Sequence, residues 1–398
     1  MSCPALSSIP RSAQRSLAPK CRSYPRFRHR VLHRFYSSRV NGIAVLFQAL
    51  EPPIINGVQK PKKPGGYRDS GADIAYVLKH KCNINVVTPT TSPNPASDGD
   101  WCFPDHEEGI VAAAEKGTTH LWANTILFAA HPLETSKALD AYEDSIYVVG
   151  QPPKLVEAYD DKALVYNIMK SHGNLTLPKS LTVEPSDDVY AVLQKEALQY
   201  PLIAKPVRGR GSHGVKLCSN EGELQEHVQS LFTESPKIIV EEYLSGEEAT
   251  VTVMPPSTSR PQYWAMPVAT RFNHIAGIAP YNGVVAVTTN SRVIGESEAA
   301  RDPAYKQVAD ECELVARLLD VKAPIRIDVR RFSNDSPFAL FDNMTGPGRP
   351  GREDQASLTA IAAKALGWDY GKLLKEILAS ASSLRALRNA GLPTRGVR

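Results

Sequence analysis

The 398-residue sequence has no long apolar run, no acidic residue in its first 40 positions and no closely paired cysteines. A membrane-spanning helix needs about 18 or more consecutive apolar residues, so the sequence predicts none and no membrane partner. The six cysteines are scattered without a C-x-x-C spacing, which argues against a zinc site and against a disulfide framework. Thiols buried in a reducing compartment are the simplest interpretation.

The basic character of the chain is confined to residues 1–40. This segment holds eight arginines and one lysine, which leaves 37 of the 46 basic residues against 42 acidic residues in the remainder. The folded body is therefore acidic and is not expected to bind nucleic acid. An Arg-rich, Ser-rich and acid-free leader is typical of a mitochondrial transit peptide, here with processing near Tyr36 and a matrix location. A disordered basic arm of a cytoplasmic protein and a misassigned gene start are the alternatives.

Residues 41–158 alternate apolar runs with helical patterns. The run I-A-V-L-F at 43–47 predicts a buried parallel strand, and further strands are predicted over 85–88 and 119–127, with a loop over 89–104. This alternation is typical of a small parallel α/β domain. Trp122 and Asn124 could line a substrate pocket there, and His131 also invites a functional interpretation, although packing at a strand end is the favoured explanation.

The run 201–253 carries the first chemical signal. A short apolar strand delivers Lys205 to a loop of sequence R-G-R-G-S-H-G, which lacks the spacing of a P-loop. Glycines let such a loop approach an anion closely, and its cations add charge. A second segment carries Glu241 and Glu248 around a turn, and it suits adenine and ribose. Phosphate loop and nucleoside clamp together predict ATP binding, whereas a flexible hairpin with solvated arginines is the alternative.

A second constellation lies in two predicted strands near residue 330. Arg326 and Asp328 share a face because residues two apart on a strand point the same way, and Arg330 extends that face. The next strand leads into Asp342 and Asn343, and carboxylates on adjacent strands suit magnesium, although an arginine beside an aspartate can be a simple ion pair. Adjacent strand residues point in opposite directions. Both side chains therefore reach a metal only if the backbone bulges, unless residues are missing from the gene or the second metal is weakened.

Five motifs in a fixed order resemble the ATP-grasp superfamily, and most closely its D-alanine–D-alanine ligase branch. They are D-D-K at 160–162, I-A-K-P with the glycine loop from 203, V-E-E-Y-L-S-G-E-E from 240, R-I-D-V from 326 and P-G at 347–348. The resemblance covers roughly residues 159–378. It implies an α/β N-terminal domain at 41–158, two ATP-grasp subdomains of mixed sheets at 159–255 and 256–388 that clamp ATP, and a frayed tail at 389–398. Within the second subdomain, strands are predicted over 262–271, 284–289, 325–332 and 338–341, and a helix over 303–320.

The loop chemistry and the resemblance together assign candidate site residues. Arg326 and Lys205 are the candidate catalytic residues. The candidate ATP-binding residues are Lys162, Lys205, Arg208, Gly211, Ser212, Glu241, Tyr243, Leu244 and Glu248. The candidate metal ligands are Asp328, Asp342 and Asn343, for one or two Mg²⁺ ions with Mn²⁺ as an alternative, and Arg349 and Arg352 are candidates for binding a substrate carboxylate.

The resemblance implies an ATP- and Mg²⁺-dependent ligase that joins a carboxylate to an amine through an acyl phosphate. Its substrates would be small amino acids or carboxylates, and a homodimer stays open. The chain departs from the family in having no lysine between Lys237 and Lys306, where the family's substrate loop carries one. Arg271 or Arg292 could substitute, and His274 could be catalytic or solvated. A nucleotide-binding protein with weakened catalysis and an ATP-grasp enzyme of another branch are the competing interpretations.

Overall fold

A computed structural model describes residues 41–55, 57–59, 61–209, 212–275, 277–278, 287–344 and 357–393. Within these ranges, no helix is both long enough and apolar enough to cross a membrane. Three sheets organise this part of the chain, together with one small hairpin.

The first sheet has a parallel core whose central strands are buried. In chain order this part contains β1 (Ile43–Phe47), β2 (Ile54–Ile55), β3 (Val58–Gln59), α1 (Arg68–His80), β4 (Cys102–Pro104), α2 (Glu107–Glu115), β5 (His120–Asn124), α3 (Pro132–Thr135), β6 (Tyr147–Val149) and α4 (Pro153–Tyr159), with 3₁₀ helices at Pro64–Tyr67, Asp98–Asp100 and Lys137–Tyr142. Strand β1 pairs in parallel with β4 and β5, and β5 pairs in parallel with β6. The alternating parallel unit predicted from the sequence is confirmed. The strand predicted over 85–88, however, is a single bridge between Val86 and Ile43, and β4 lies in the predicted loop.

The second sheet is small and antiparallel, with the order β7-β10-β8-β9. Its part of the chain contains α5 (Lys162–His172), β7 (Ser180–Val183), α6 (Val189–Lys195), β8 (Leu202–Pro206), β9 (Lys216–Cys218), α7 (Glu221–Leu231) and β10 (Ile238–Glu242). The side chain of Asp161 caps α5 by accepting a hydrogen bond from the backbone N–H of Leu164. Because Lys205 pairs with Ile239 in register, Lys205 and Glu241 lie on one face of this sheet.

The third sheet is also antiparallel, with the order β14-β13-β11-β15-β16, and β12 extends β11 on one side. It is built from β11 (Glu248–Met254), β12 (Trp264–Ala265), β13 (Ala269–Arg271), α8 (Val287–Asn290), β14 (Ser291–Val293), α9 (Glu296–Ala299), α10 (Pro303–Leu318), β15 (Ile325–Arg331), β16 (Phe338–Met344) and α11 (Leu358–Ala365). The strand predicted over 262–271 is split into β12 and β13. The strand predicted over 284–289 is wrong where it is described, because α8 begins at Val287.

The end of the chain returns to the first sheet. After α12 (Tyr370–Leu378), strand β17 (Ser382–Ser383) pairs antiparallel with β6, and α13 (Leu384–Arg388) follows. The guanidinium of Arg388 donates to the carbonyl oxygens of Leu133 and Ser136 at 2.9 and 2.7 Å. The segment 256–388, predicted as one subdomain, therefore divides between the third sheet and the first. Most of the predicted tail, 394–398, lies outside the described residues.

Strand β15 separates an apolar face from a polar one. Its residues Ile325, Ile327 and Val329 are buried in one core with Cys312 and Val315 of α10. Pairing with β11 places Arg326, Asp328 and Arg330 opposite Thr252, Thr250 and Glu248, all on the other face. The apolar face stabilises the third sheet, and the polar face is left for chemistry.

Replacing Ile327 with alanine tests this division. The side chain is 1% exposed in a packed core, so we expect Ile327→Ala to lower the free energy of unfolding by about 2–5 kcal/mol. The matched control Ile54→Ala removes the same atoms from a side chain that is 67% exposed, and it should change stability by less than about 0.5 kcal/mol. Urea unfolding followed by circular dichroism measures both, and equal losses would contradict the division.

Candidate active site

A buried ion pair lies at the centre of the candidate site. Lys205 of β8 and Glu241 of β10 are 4% and 5% exposed, and Lys205 Nζ lies 2.5 Å from Glu241 Oε1. The same Nζ donates to the carbonyl oxygen of Phe341 in β16 at 3.1 Å. Burial raises the pKa of Glu241, while the Lys205 ammonium opposes this rise. One lysine therefore joins the second sheet to the edge of the third.

Lys162 meets the same edge from the start of α5. Its Nζ donates to the carbonyl oxygen of Gly209 at 3.0 Å and lies 3.5 Å from Asp342 Oδ1. Lys162, Lys205, Glu241 and Asp342 line one cleft, with Tyr159, Tyr166, Met169 and Phe341 among its other walls. The structure thus brings both predicted phosphate-binding lysines to one cleft, within reach of a predicted metal ligand.

Two carboxylates face each other across β15 and β16. Asp328 and Asp342 are directly paired in register, and Thr250 Oγ1 donates to Asp328 Oδ1 at 2.6 Å. Burial raises the pKa of Asp328, and the Asp342 charge adds to the rise, whereas Arg271, the Thr250 hydroxyl and Arg326 oppose it. A half-buried carboxylate beside a second one is an arrangement that a cation stabilises.

The register also decides where the residues after Asp342 stand. A bulge falls between Asp328/Val329 and their partners, so that Phe341 is the extra residue of β16. Position 343 pairs with Ile327 and position 344 with Arg326. A bulge was expected to bring Asp342 and Asn343 to one face, but it lies before both of them. Asn343 is therefore at an alternate position from Asp342, and its side chain lies outside what the structure describes.

Oxygen ligands for a metal ion are present, but the described set is small. Within the described ranges, no cluster of three or more His, Cys, Asp and Glu side chains could hold a metal ion. Asp328 and Asp342 supply two carboxylates, which are the ligand type that Mg²⁺ takes. These two residues fit a magnesium ion completed by water and by substrate oxygens.

The hinge, which we define as residues 243–247 between β10 of the second sheet and β11 of the third, is held closely against β15. Gly246 N–H donates to Arg331 O at 3.0 Å, and Ser245 N–H donates to Phe332 O at 3.1 Å. A Cβ at Gly246 would lie 2.7 Å from the Cβ of Arg331, so this close approach requires glycine. Within this hinge Leu244 is buried, and the Tyr243 hydroxyl accepts a hydrogen bond from Arg330.

Glu248, the candidate ribose ligand, already has cationic neighbours. Its Oε2 lies 2.9 Å from His274 Nε2, and the guanidinium groups of Arg271 and Arg330 lie 3.8 and 3.7 Å from its carboxylate. This neighbourhood was not predicted from the sequence, although the alternation of β15 had placed Arg330 on the same face. His274 is not a solvated loop residue, because it contacts a carboxylate that is 5% exposed.

Several other candidates have contacts away from the cleft or lie outside the described residues. Arg208 donates to the carbonyl oxygen of Glu157 at 2.8 Å, and its guanidinium lies 3.6 Å from Asp160 and 3.9 Å from Asp161. It lines a separate cavity beside the first sheet, and its contact with phosphate stays a prediction. Ser212 is exposed in the phosphate loop. Gly211, Arg349 and Arg352 lie outside the described residues.

A buried polar cluster at the first sheet was missed by the sequence reasoning. Asp105 accepts from the backbone N–H groups of Ala49 and Leu50 at 2.8 and 2.9 Å and from the Thr125 hydroxyl at 2.5 Å. His131 Nε2 lies 3.4 Å from the same carboxylate. Although burial raises the pKa of Asp105, the nearby His131 imidazole and the hydrogen bonds from Thr125 and the Leu50 backbone outweigh it, and the pKa is lowered. No spacing in the sequence links these positions, so only the fold brings them together.

Trp122 and Asn124 have structural roles. Trp122 is buried in the apolar core. Asn124 Nδ2 donates to Tyr67 O at 2.9 Å and to Ser70 Oγ at 3.1 Å, which fixes the start of α1. Of the two interpretations of these residues, packing at a strand end is the one that their contacts support.

Comparison with known proteins identifies a family over half of the chain. The family model described as D-ala D-ala ligase C-terminus matches residues 175–379. The D-alanine–D-alanine ligase of Aquifex aeolicus is 28% identical over 220 residues, which are 55% of this chain and 68% of that protein. The corresponding enzyme of Thermosipho africanus is 40% identical over a shorter stretch of 60 residues, or 15% of this chain and 16% of that protein.

Solved structures show the same fold over most of the chain. The D-alanine–D-alanine ligase of Bacillus anthracis in complex with ATP aligns with a TM-score of 0.59 and 19% identity, covering 88% of this chain and 99% of that one. The VanG D-Ala:D-Ser ligase of Enterococcus faecalis aligns with a TM-score of 0.57 and 16% identity, covering 85% and 98%.

From the buried pair we predict that a second substitution can restore stability without restoring nucleotide binding. Lys205→Met leaves the Glu241 carboxylate buried without its cation, and we expect a loss of about 3–5 kcal/mol in stability near neutral pH. Adding Glu241→Gln should recover most of this loss without recovering nucleotide affinity. Because an unpaired buried carboxylate binds protons more tightly when folded, the single variant should regain stability as pH falls.

Urea unfolding at pH 8 and pH 5 measures these effects. The control Lys306→Met breaks an ion pair whose side chains are 78% and 59% exposed, and it should change stability by less than about 1 kcal/mol at either pH. If the single variant is as stable as the double variant at pH 8, the Glu241 carboxylate does not need Lys205 as its buried partner, and the prediction is wrong.

Proposed function

This chain belongs to the D-alanine–D-alanine ligase family by its C-terminal half, and from that premise we propose how its residues act and which substrates they join. It is an ATP-dependent ligase that forms carbon–nitrogen bonds between a carboxylate and an amine. The proposed substrates are two small amino acids, with a D-amino acid as the first candidate because the relatives are named for D-alanine.

One observation carries the proposal. Lys162 and Lys205 meet the Asp342 end of β16 in a single cleft between the second and third sheets, and Asp328 pairs directly with Asp342. Two cations on one side and two carboxylates on the other suit the terminal phosphates of a nucleotide with a bound cation. In this proposal Glu241, Tyr243 and Leu244 bind the adenine, and Glu248 binds the ribose.

The reaction concentrates negative charge twice. A substrate carboxylate oxygen attacks the γ-phosphorus, and the bond to the β-phosphate oxygen breaks, giving an acyl phosphate and ADP. An amine then attacks the acyl carbon, loses a proton and expels phosphate, giving an amide. Lys162 and Lys205 would stabilise the transferred phosphoryl group, and Arg326 would stabilise the oxyanion of the tetrahedral intermediate.

Relatives of this family use Mg²⁺ with ATP, and Asp328 and Asp342 are the residues of this chain that would hold it. A bound divalent cation neutralises phosphate charge and polarises the oxygens. The register supports one ion more strongly than two, because the position two residues beyond Asp342 is Met344 and Asn343 is at the alternate position. Mn²⁺ would suit the same oxygen ligands.

The location is a separate proposal that rests on composition alone. Residues 1–40 hold nine basic residues and no acidic ones, which supports import into the mitochondrial matrix. A homodimer is likewise a proposal.

Asp328→Asn tests the chemistry. We expect the variant to lose about 100-fold or more of its ADP release while keeping most of its affinity for AMP-PNP, because the carboxylate acts on phosphoryl transfer more than on adenine. The assay measures ADP release by the full chain with MgCl₂ across D- and L-amino acids, and calorimetry measures AMP-PNP binding.

The matched control is Asp310→Asn, which removes a carboxylate that is 59% exposed on α10. It should release ADP at the rate of the unchanged chain. Full activity of Asp328→Asn would exclude the carboxylate pair as the reaction centre. AMP-PNP binding with no ADP release from any amino acid would favour a nucleotide-binding protein instead.

Import into isolated mitochondria tests the location. A fluorescent protein fused behind residues 1–40 should become resistant to external protease and should be shortened near Tyr36. Replacing the eight arginines of this segment with glutamine should abolish both effects, since the membrane potential acts on positive charge. Equal protection of both fusions would contradict a transit peptide.

A further inference from the structure

Arg330 is a buried cation in the third sheet that takes part in none of the chemistry described above. It is 9% exposed and lies on the polar face of β15, two residues beyond Asp328. Each of its nitrogens donates to a different group. Nε donates to Gly246 O at 3.0 Å, Nη1 to Gly277 O at 2.6 Å and Nη2 to the Tyr243 hydroxyl at 3.2 Å.

These three bonds join two separate segments. Gly246 and Tyr243 belong to the hinge proposed to hold adenine. Gly277 belongs to the segment 272–278 that follows β13, of which the structure describes residues 272–275, 277 and 278. A planar guanidinium offers donors in fixed directions, so one arginine can hold both segments in a defined relation, which the single charged nitrogen of lysine cannot do.

A second contact supports the same connection. His274, in the same segment, lies 2.9 Å from Glu248 Oε2, and Glu248 lies 3.7 Å from the Arg330 guanidinium. The segment thus meets the nucleotide side both through its backbone at Gly277 and through the side chain of His274.

The approach of the two segments is close enough to restrict the sequence. Gly277 has a φ of +78°, and a Cβ there would lie 2.8 Å from the Tyr243 hydroxyl. Any larger residue would be strained in its backbone and would press on the hinge tyrosine. The contact between hinge and segment is therefore specific.

We infer that Arg330 is a positioning residue that couples nucleotide binding at the hinge to the segment 272–278. A ligand that binds the ordered hinge also disfavours states in which a segment bonded to the hinge has opened. The reason is that an opening that breaks the shared contacts weakens ligand binding. The inference rests on the proposed function, since it takes the hinge to be where ATP binds. Arg330 itself touches neither nucleotide nor substrate in this scheme.

Hydrogen–deuterium exchange of the full chain, with and without AMP-PNP, measures the coupling. In the unchanged chain we expect amides at 272–278 to exchange about tenfold more slowly when AMP-PNP is bound. Arg330→Met should reduce that protection to less than about twofold while the amides of the hinge are still protected. Gly277→Ala breaks the contact from the other side with Arg330 intact, and it should lose the same protection.

Arg331→Met is the matched control. This neighbour is also a buried arginine, but its guanidinium pairs with Asp302 and with Glu247 and donates to Ser336 O at 2.7 Å, and none of these partners belongs to the segment. It should lose stability and keep the protection at 272–278. Protection retained in both Arg330→Met and Gly277→Ala would overturn the inference.

Calorimetry with AMP-PNP distinguishes a failure of the coupling from a failure of the proposed function. An unchanged chain that binds AMP-PNP but shows no protection at 272–278 would overturn the coupling and leave the proposed function standing. An unchanged chain that does not bind AMP-PNP would overturn both.

Discussion

The site depends on a lysine and a glutamate that are buried together between two sheets. Lys205 and Glu241 lie on one face of the second sheet, and the lysine also bonds to the backbone of β16 in the third. A buried charge is tolerated only when a partner and hydrogen bonds compensate it. Because those partners come from β8, β10 and β16, the pair stabilises one relative position of the two sheets, and that position brings Lys162 to Asp342.

The alternation of side chains along strands made much of this site predictable. On β15 the apolar residues enter the core and Arg326, Asp328 and Arg330 share the other face, as the period of two requires. The same rule separated Asp342 from Asn343. Residues whose positions follow from local geometry were therefore located from the sequence alone.

Contacts that depend on tertiary structure were not predictable. The bulge at Phe341 changes the register by one residue, and no residue type in F-A-L-F-D predicts its position. Arg208 was assigned to phosphate because it lies in a glycine loop, and its ion pairs with Asp160 and Asp161 before α5 were not expected. Asp105 and His131 meet only because β4 and β5 both flank β1. Each of these contacts joins elements that are distant along the chain.

The positions that match the family pattern differ in their proposed chemistry from the positions that depart from it. In the proposed function, Lys162, Lys205, the hinge and Asp328 act on the nucleotide, whose phosphates and adenine present the same chemistry to any ligase of this type. The departures are the lysine-free stretch after β13, which the resemblance assigns to the substrate, and the residues after Asp342, which the resemblance assigns to the second metal ion. Phosphoryl transfer constrains the groups that contact the nucleotide tightly, while a different carboxylate or amine needs changes only in the groups that contact the substrate. The lysine-free stretch after β13 therefore fits the proposal of a ligase that keeps the ATP-dependent activation step, with its differences from the relatives on the side of the joined molecules.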